Sequence, residues 1–163
     1  MHKLCLVAVD IRSTHNVGSL FRTADGFSAE IILTGISPRP ISENDKRLPH
    51  IAVKADKNIS KTALGAEKTV SWRYFSNAFE AIEALKNEGF SIIALEQNKI
   101  SKPISELLIS QPTALLLGTE VEGLPQELLD VCDNIYEIPM TGAKESFNVS
   151  VTAGIALYQA RLN

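Results

Sequence analysis

Between Glu145 and Val151 the chain sets Ser146, Asn148 and Ser150 around two apolar residues. Ser146 can cap a helix starting near Phe147, its hydroxyl accepting an amide of the first turn. A helix start also leaves N–H groups unpaired at the positive end of a dipole, so three small polar side chains there suit a small polar ligand. An ordinary capped helix explains that stretch equally well. Elsewhere the familiar chemistries are missing. No G-x-G-x-x-G follows the first apolar run, and Gly65-Ala66-Glu67-Lys68-Thr69 lacks the first glycine of a phosphate loop and the one before its lysine. There is no G-x-S-x-G elbow. His2, His15, His50, Cys5 and Cys132 are too scattered for a metal site, so none is expected.

The elements that must hold these residues read as α/β. Leu4–Val9 is a continuous apolar run, as in a strand buried on both faces. It ends at Asp10, a polar loop follows, and a helix over Val17–Phe27 buries Val17, Leu20, Phe21 and Ala24. Further strands are expected at Glu30–Thr34, Val70–Phe75, Phe90–Leu95 and Thr113–Leu117, with a short one through Ile135, Tyr136 and Ile138 stopped by Pro139. Asn77 caps a helix over Ala78–Asn87 with Phe79, Ile82 and Leu85 as its buried stripe, and Gly89 stops it. Lys99–Leu108 reads as a loop with a helical turn, and a short helix covers Gln126–Cys132. In the closing helix, Phe147, Val151, Gly154, Ile155 and Tyr158 recur at helical spacing and predict the buried face. From Gly35 to Gly65 the hydrophobic period fades around Pro38, Pro40 and Pro49, and a long irregular segment is expected.

The chain of 163 residues reads as one domain, 1–163, able to bury a core without staples. The early apolar run is too short for a leader or a membrane span, and two distant cysteines suit free thiols in a reducing cytoplasm. The net charge of −3 hides an asymmetry. Ser37–Lys68 carries Arg39, Lys46, Arg47, Lys54, Lys57, Lys61 and Lys68 against four acids, a balance of +3 on a body of −6. Such a segment can engage phosphates, or it is a solvated surface.

Three separated segments together are more specific than any one. They are Asn16-x-Gly18-x-x-x-Arg22-Thr23-Ala24, then Leu117-Gly118-x-Glu120-x-x-Gly123-Leu124, then Ile138-Pro139-Met140-x-Gly142 followed by Glu145-Ser146-Phe147-Asn148-Val149-Ser150-Val151. In this order the chain resembles the SpoU (TrmH-like) branch of the SPOUT superfamily, over about Leu4–Leu162. The resemblance implies a single-domain α/β knot with a mainly parallel sheet and a C-terminal trefoil knot. It implies an S-adenosylmethionine-dependent RNA 2′-O-ribose methyltransferase acting on tRNA or rRNA. It also implies a homodimer in which the first motif of one subunit faces the cofactor of the other. Thr119, Val121 and Phe147 stand where Asn, Gly and Leu are common in the family, changes conservative for packing. The extra RNA-binding domain of many relatives is not expected here, which leaves the choice of RNA open.

By that resemblance Leu95, Glu96, Leu117, Gly118, Glu120, Gly123, Ile138, Met140, Ser146, Asn148 and Val149 form the cofactor pocket, with no metal. Arg22, Asn16, Glu120, Ser146 and Asn148 are the implied catalytic set. Arg22 is often assigned as the base in this family, yet a guanidinium stays protonated below a pKa of about 12. Binding a phosphate or stabilising the developing alkoxide suits it better, with the proton left to a neighbour or water. Asn16 orients Arg22 or the ribose, or caps its helix; Glu120 is a buried anchor or a catalytic carboxylate. His15, outside the family pattern, is an alternative base because it titrates near neutrality. Trp72 and Tyr74 are either base-stacking platforms or core residues. Two rivals stay open: a non-catalytic RNA-binding module on the same fold, and a nucleotide-dependent enzyme of doubly wound type.

Overall fold

The computed structural model describes residues 2–119 and 121–162. Seven parallel strands form one sheet in the order β3-β2-β1-β6-β4-β7-β5. They are β1 (Leu4–Val9), β2 (Glu30–Thr34), β3 (Trp72–Phe75), β4 (Ser91–Leu95), β5 (Lys102–Pro103), β6 (Thr113–Leu117) and β7 (Asn134–Glu137). Every residue of β1 and β6 is buried, as strands covered on both faces require. One face packs against α1 (Thr14–Gly26), α2 (Pro49–Ala63), α3 (Ala66–Thr69) and α6 (Val149–Arg161). The other packs against α4 (Ala78–Asn87) and α5 (Gln126–Leu129). The C-terminus is tied back by Arg161, whose guanidinium donates to the carbonyls of Phe27 and His2 at 3.0 and 2.9 Å.

The expected irregular segment is corrected: fifteen of its residues form α2. Pro49 sits in the first turn, where its missing N–H costs nothing. Only Ala52, Ile59 and Ala63 are buried, too few to show a period against so many charges. The closing helix is also corrected. It starts at Val149, and Asn148 rather than Ser146 caps it, accepting from the Ser150 N–H at 2.9 Å. Its buried face is Val149, Ala153, Ala156, Leu157 and Ala160. Three residues of the expected stripe turn outward instead, with Phe147 40%, Val151 45% and Tyr158 58% exposed, while Ile155 is partly buried against the core. Both faces of α6 are apolar, so periodicity could not choose between them; the small residues face the packed layer. Phe79 on α4 is likewise half exposed, whereas Ile82 and Leu85 are buried as expected. Trp72 packs edge-on against Phe21, and the Tyr74 hydroxyl donates to the Gly35 carbonyl at 2.8 Å, so both serve the core region.

Helices α1 and α2 meet at Gly18. A methyl there would fall on the Ile59 carbonyl oxygen and the Thr62 hydroxyl, and the carbonyl cannot rotate aside. Glycine to alanine in a helix ordinarily stabilises by about 0.5–1 kcal/mol. Overpacking a fixed contact costs about 1–3 kcal/mol and should win. Gly18→Ala is therefore expected to lower unfolding stability in urea; a gain would mean that the two helices are not locked at this point.

Candidate functional site

The carboxyl ends of β4, β6 and β7 open into one crevice of about 270 Å³. This is near the lower end of small-molecule sites, roughly 300–1,000 Å³. Three chain segments wall it, at the end of β4, at the end of β6 and from Tyr136 to Thr152. Nine of the residues implied by the resemblance lie on that wall: Leu95, Glu96, Leu117, Gly118, Gly123, Ile138, Met140, Ser146 and Val149.

The turn after β6 is built by close approach. Gly123 has φ +66°, which glycine adopts without strain, and its amide donates back to the Thr119 carbonyl at 3.0 Å. A Cβ on Gly118 would stand 2.6 Å from both the Gly123 oxygen and the Leu124 nitrogen, so the turn closes only over a glycine. Glu96 fastens this turn to β4: one carboxylate oxygen accepts the Leu124 amide and the other the Gln97 amide, both at 2.9 Å. Its seat is thus partly structural. On the far wall, the Gln97 side-chain amide donates to the Glu145 carbonyl at 2.6 Å.

Asn148 does not line the crevice. Its Oδ1 accepts the amide and hydroxyl of Ser150, and its Nδ2 donates to Asn16 Oδ1 at 3.2 Å. The first and third motifs are thereby joined across 132 residues of sequence. Asn16 does not cap α1; the Ser13 side chain does, accepting the Asn16 amide at 3.2 Å. Arg22 is exposed on α1 and is not part of the crevice wall of its own chain. His15 is exposed on the first turn of α1, where its carbonyl accepts the Thr62 hydroxyl at 2.8 Å. Glu120 lies outside the described residues.

Sequence reasoning missed the charge of the wall. Glu96, Glu122, Glu137 and Glu145 line it, with no lysine, arginine or histidine among its described residues. Glu122, Glu137 and Glu145 each stand within three residues of a motif glycine or apolar residue, but nothing local shows that they converge. Neither thiol offers a nucleophile: burial pushes Cys132 up to about 11 and Cys5 higher still, so both stay protonated at neutral pH.

A parallel α/β sheet with its crevice beyond the strand carboxyl ends defines a ligand-binding α/β protein. Residues 3–158 match the profile of the SpoU rRNA Methylase family, and the chain belongs to that family. The 23S rRNA (guanosine-2′-O-)-methyltransferase RlmB of a Burkholderia species is 31% identical over 156 residues, spanning 95% of this chain and 58% of its own. The crystal structure of the Aquifex aeolicus TrmH/SpoU tRNA modifying enzyme superposes with a TM-score of 0.79 at 26% identity, over 99% of this chain and 75% of that one. An AdoMet-bound rRNA methyltransferase from Sinorhizobium meliloti shares the fold, with a TM-score of 0.81 at 24% identity, over 99% of this chain and 58% of that one. The chain spans less than two thirds of the length of the first curated relatives it matches.

Proposed function

We propose that this chain is an S-adenosylmethionine-dependent RNA methyltransferase acting on the ribose 2′-hydroxyl of a tRNA or rRNA nucleotide. The observation that carries the reading is the acidic crevice: four glutamates and no base among the described wall residues. A sulfonium ligand is attracted there, whereas the phosphates of a dinucleotide or nucleoside triphosphate are repelled. That disfavours the nucleotide-dependent rival. The family and the ligand named for the Sinorhizobium structure point the same way. Among the described residues no three His, Cys, Asp or Glu side chains are grouped to hold a metal ion.

The wall residues fit the group. Leu95, Leu117, Ile138 and Val149 supply apolar surface, and the turns at Gly118 and Met140 supply backbone donors and acceptors for a base edge. When bound, the cofactor supplies an activated methyl whose bonding electrons stay on sulfur as the ribose oxygen attacks. The protein's share is alignment, charge and exclusion of water. Positioning in favourable models is worth roughly 7–11 kcal/mol. Arg22 holds the substrate phosphate or the developing alkoxide, the Asn16–Asn148 hydrogen bond ties the starts of α1 and α6 together, and water or a neighbouring group takes the proton. Ser146 and Glu120 complete the site.

The active form is a homodimer. The outward side of α6 (Val151 and Tyr158) is an apolar face that a second copy would cover, and α1 packs beside α6. Arg22 then serves the partner's crevice. Residues 1–163 act as one methyltransferase domain, and the C-terminal segment is a trefoil knot threaded beside the turn after β6. We place the protein in the cytoplasm on its two free thiols; no helix among the described residues is long and apolar enough to cross a membrane.

RNA from cells lacking the gene, incubated with methyl-labelled cofactor and the purified protein, should gain label in alkali-resistant dinucleotides. S-adenosylhomocysteine should inhibit, and NAD or ATP should not. Label confined to bases, or bound RNA with no label at all, would favour the non-catalytic or base-modifying alternatives.

A further inference from the structure

Of the seven bases between Ser37 and Lys68, two already have partners within the fold. Arg47 forks onto Asp45 and donates to the carbonyls of Arg39 and Pro40 at 3.0 and 2.9 Å. The Arg39 guanidinium lies 3.7 Å from the centre of the Tyr74 ring. What is left concentrates on α2. With 3.6 residues per turn, His50, Lys54, Lys57 and Lys61 fall on one stripe, directly opposite the buried Ala52, Ile59 and Ala63. All four are exposed. The one acid of α2, Asp56, lies toward the packed side, where its Oδ1 accepts the Ile41 amide at 3.1 Å. Among the described residues no carboxylate pairs with any of the four, and Lys61 Nζ rests on the Asn58 amide oxygen at 2.9 Å.

Like charges at i,i+4, as in Lys57 and Lys61, cost a helix a few tenths of a kcal/mol unless an anion lies between them. Neighbours on the stripe stand about 5–6 Å apart, and Lys54 to Lys61 run along about 10 Å of helix axis. The stripe is also fixed relative to the first motif. Thr62 donates to His15, and Ile59 abuts Gly18, so the Lys61 end of α2 meets the first turns of α1, beside the Asn16–Asn148 hydrogen bond.

We propose that the α2 ridge of Lys54, Lys57 and Lys61, extended by His50, is a rail for the phosphate backbone of the RNA substrate and ends at the mouth of the site. This rests on the RNA reading above and adds where the strand lies. The contact is with phosphate and carries no base specificity.

The test is fluorescence anisotropy of labelled bulk tRNA over a potassium chloride series. It compares the wild-type chain, Lys54→Gln/Lys57→Gln/Lys61→Gln, and a control with the same charge change, Lys3→Gln/Lys99→Gln/Lys102→Gln. Each phosphate contact contributes about 0.7–0.9 to the slope of log K on log salt. The ridge variant should bind at least tenfold more weakly near physiological salt, with a slope shallower by about 2. The control should match wild type, S-adenosylhomocysteine affinity should be unchanged in all three, and neither variant should unfold at a lower temperature than wild type. Equal loss in ridge and control variants, or unaltered tRNA binding with lost binding to phosphatidylserine vesicles, would overturn the rail. Wild-type protein that binds tRNA through the ridge yet transfers no methyl group would leave the rail standing and defeat the catalytic reading. Normal methylation with an intact salt slope in the ridge variant would do the reverse.

Discussion

Arg22→Ala is expected to lower kcat on RNA by about 10²–10³, the cost of removing one donor aimed at a developing oxyanion. The affinity for S-adenosylhomocysteine should be unaltered, because the proposed partner of Arg22 is the RNA phosphate or the ribose oxygen and not the cofactor. It should also leave the fold intact, since the side chain is exposed and the core side of α1 is carried by Val17, Leu20, Phe21 and Ala24. Isothermal titration and single-turnover kinetics on the same preparations separate these outcomes. Arg22→Lys keeps the charge but loses the planar fork, so it should recover only part of the rate. A variant with full turnover would remove Arg22 from the chemistry. One that loses cofactor affinity in step with rate would place its role in the pocket instead.

The strands were the most legible part of the chain. Leu4–Val9, Glu30–Thr34 and Thr113–Leu117 have the bounds expected from their apolar runs, because a strand buried on both faces needs no periodicity to be seen. Helix α2 was not legible, since three buried residues among lysines and a leading proline resemble a loop until tertiary packing on Gly18 is known. The cap of α6 shows the same limit. Ser146 and Asn148 are equally good caps in isolation; Asn148 is also held by Asn16, a partner that local sequence cannot reveal. Seven of the nine residues that meet in the crevice come from the second and third motifs, and Leu95 and Glu96 come with them through the family resemblance alone. The convergence of Glu96, Glu122, Glu137 and Glu145 from three separate segments became visible only in the fold.

The second large effect belongs to Gly118, and it tests the architecture as well as the pocket. In Gly118→Ala the new Cβ meets the backbone of Gly123 and Leu124, so no side-chain rotation relieves the contact and the turn must open. Opening it pulls the Leu124 amide from Glu96 and displaces the wall where the cofactor's base would lie. A loss of about a hundredfold in S-adenosylhomocysteine affinity, or ~2.7 kcal/mol, is the expected result by titration calorimetry. The β6 core, buried throughout, should keep the chain folded. This subunit retains Arg22, and the Arg22→Ala subunit retains its pocket. If the arginine acts across the dimer, unfolding and refolding the two dead variants together rebuilds one complete site per mixed dimer. A symmetric two-subunit assembly formed at random is half mixed, so activity should return to roughly a quarter of wild type. If the arginine acts within its own chain, every site in the mixture lacks one component and the mixture stays inactive.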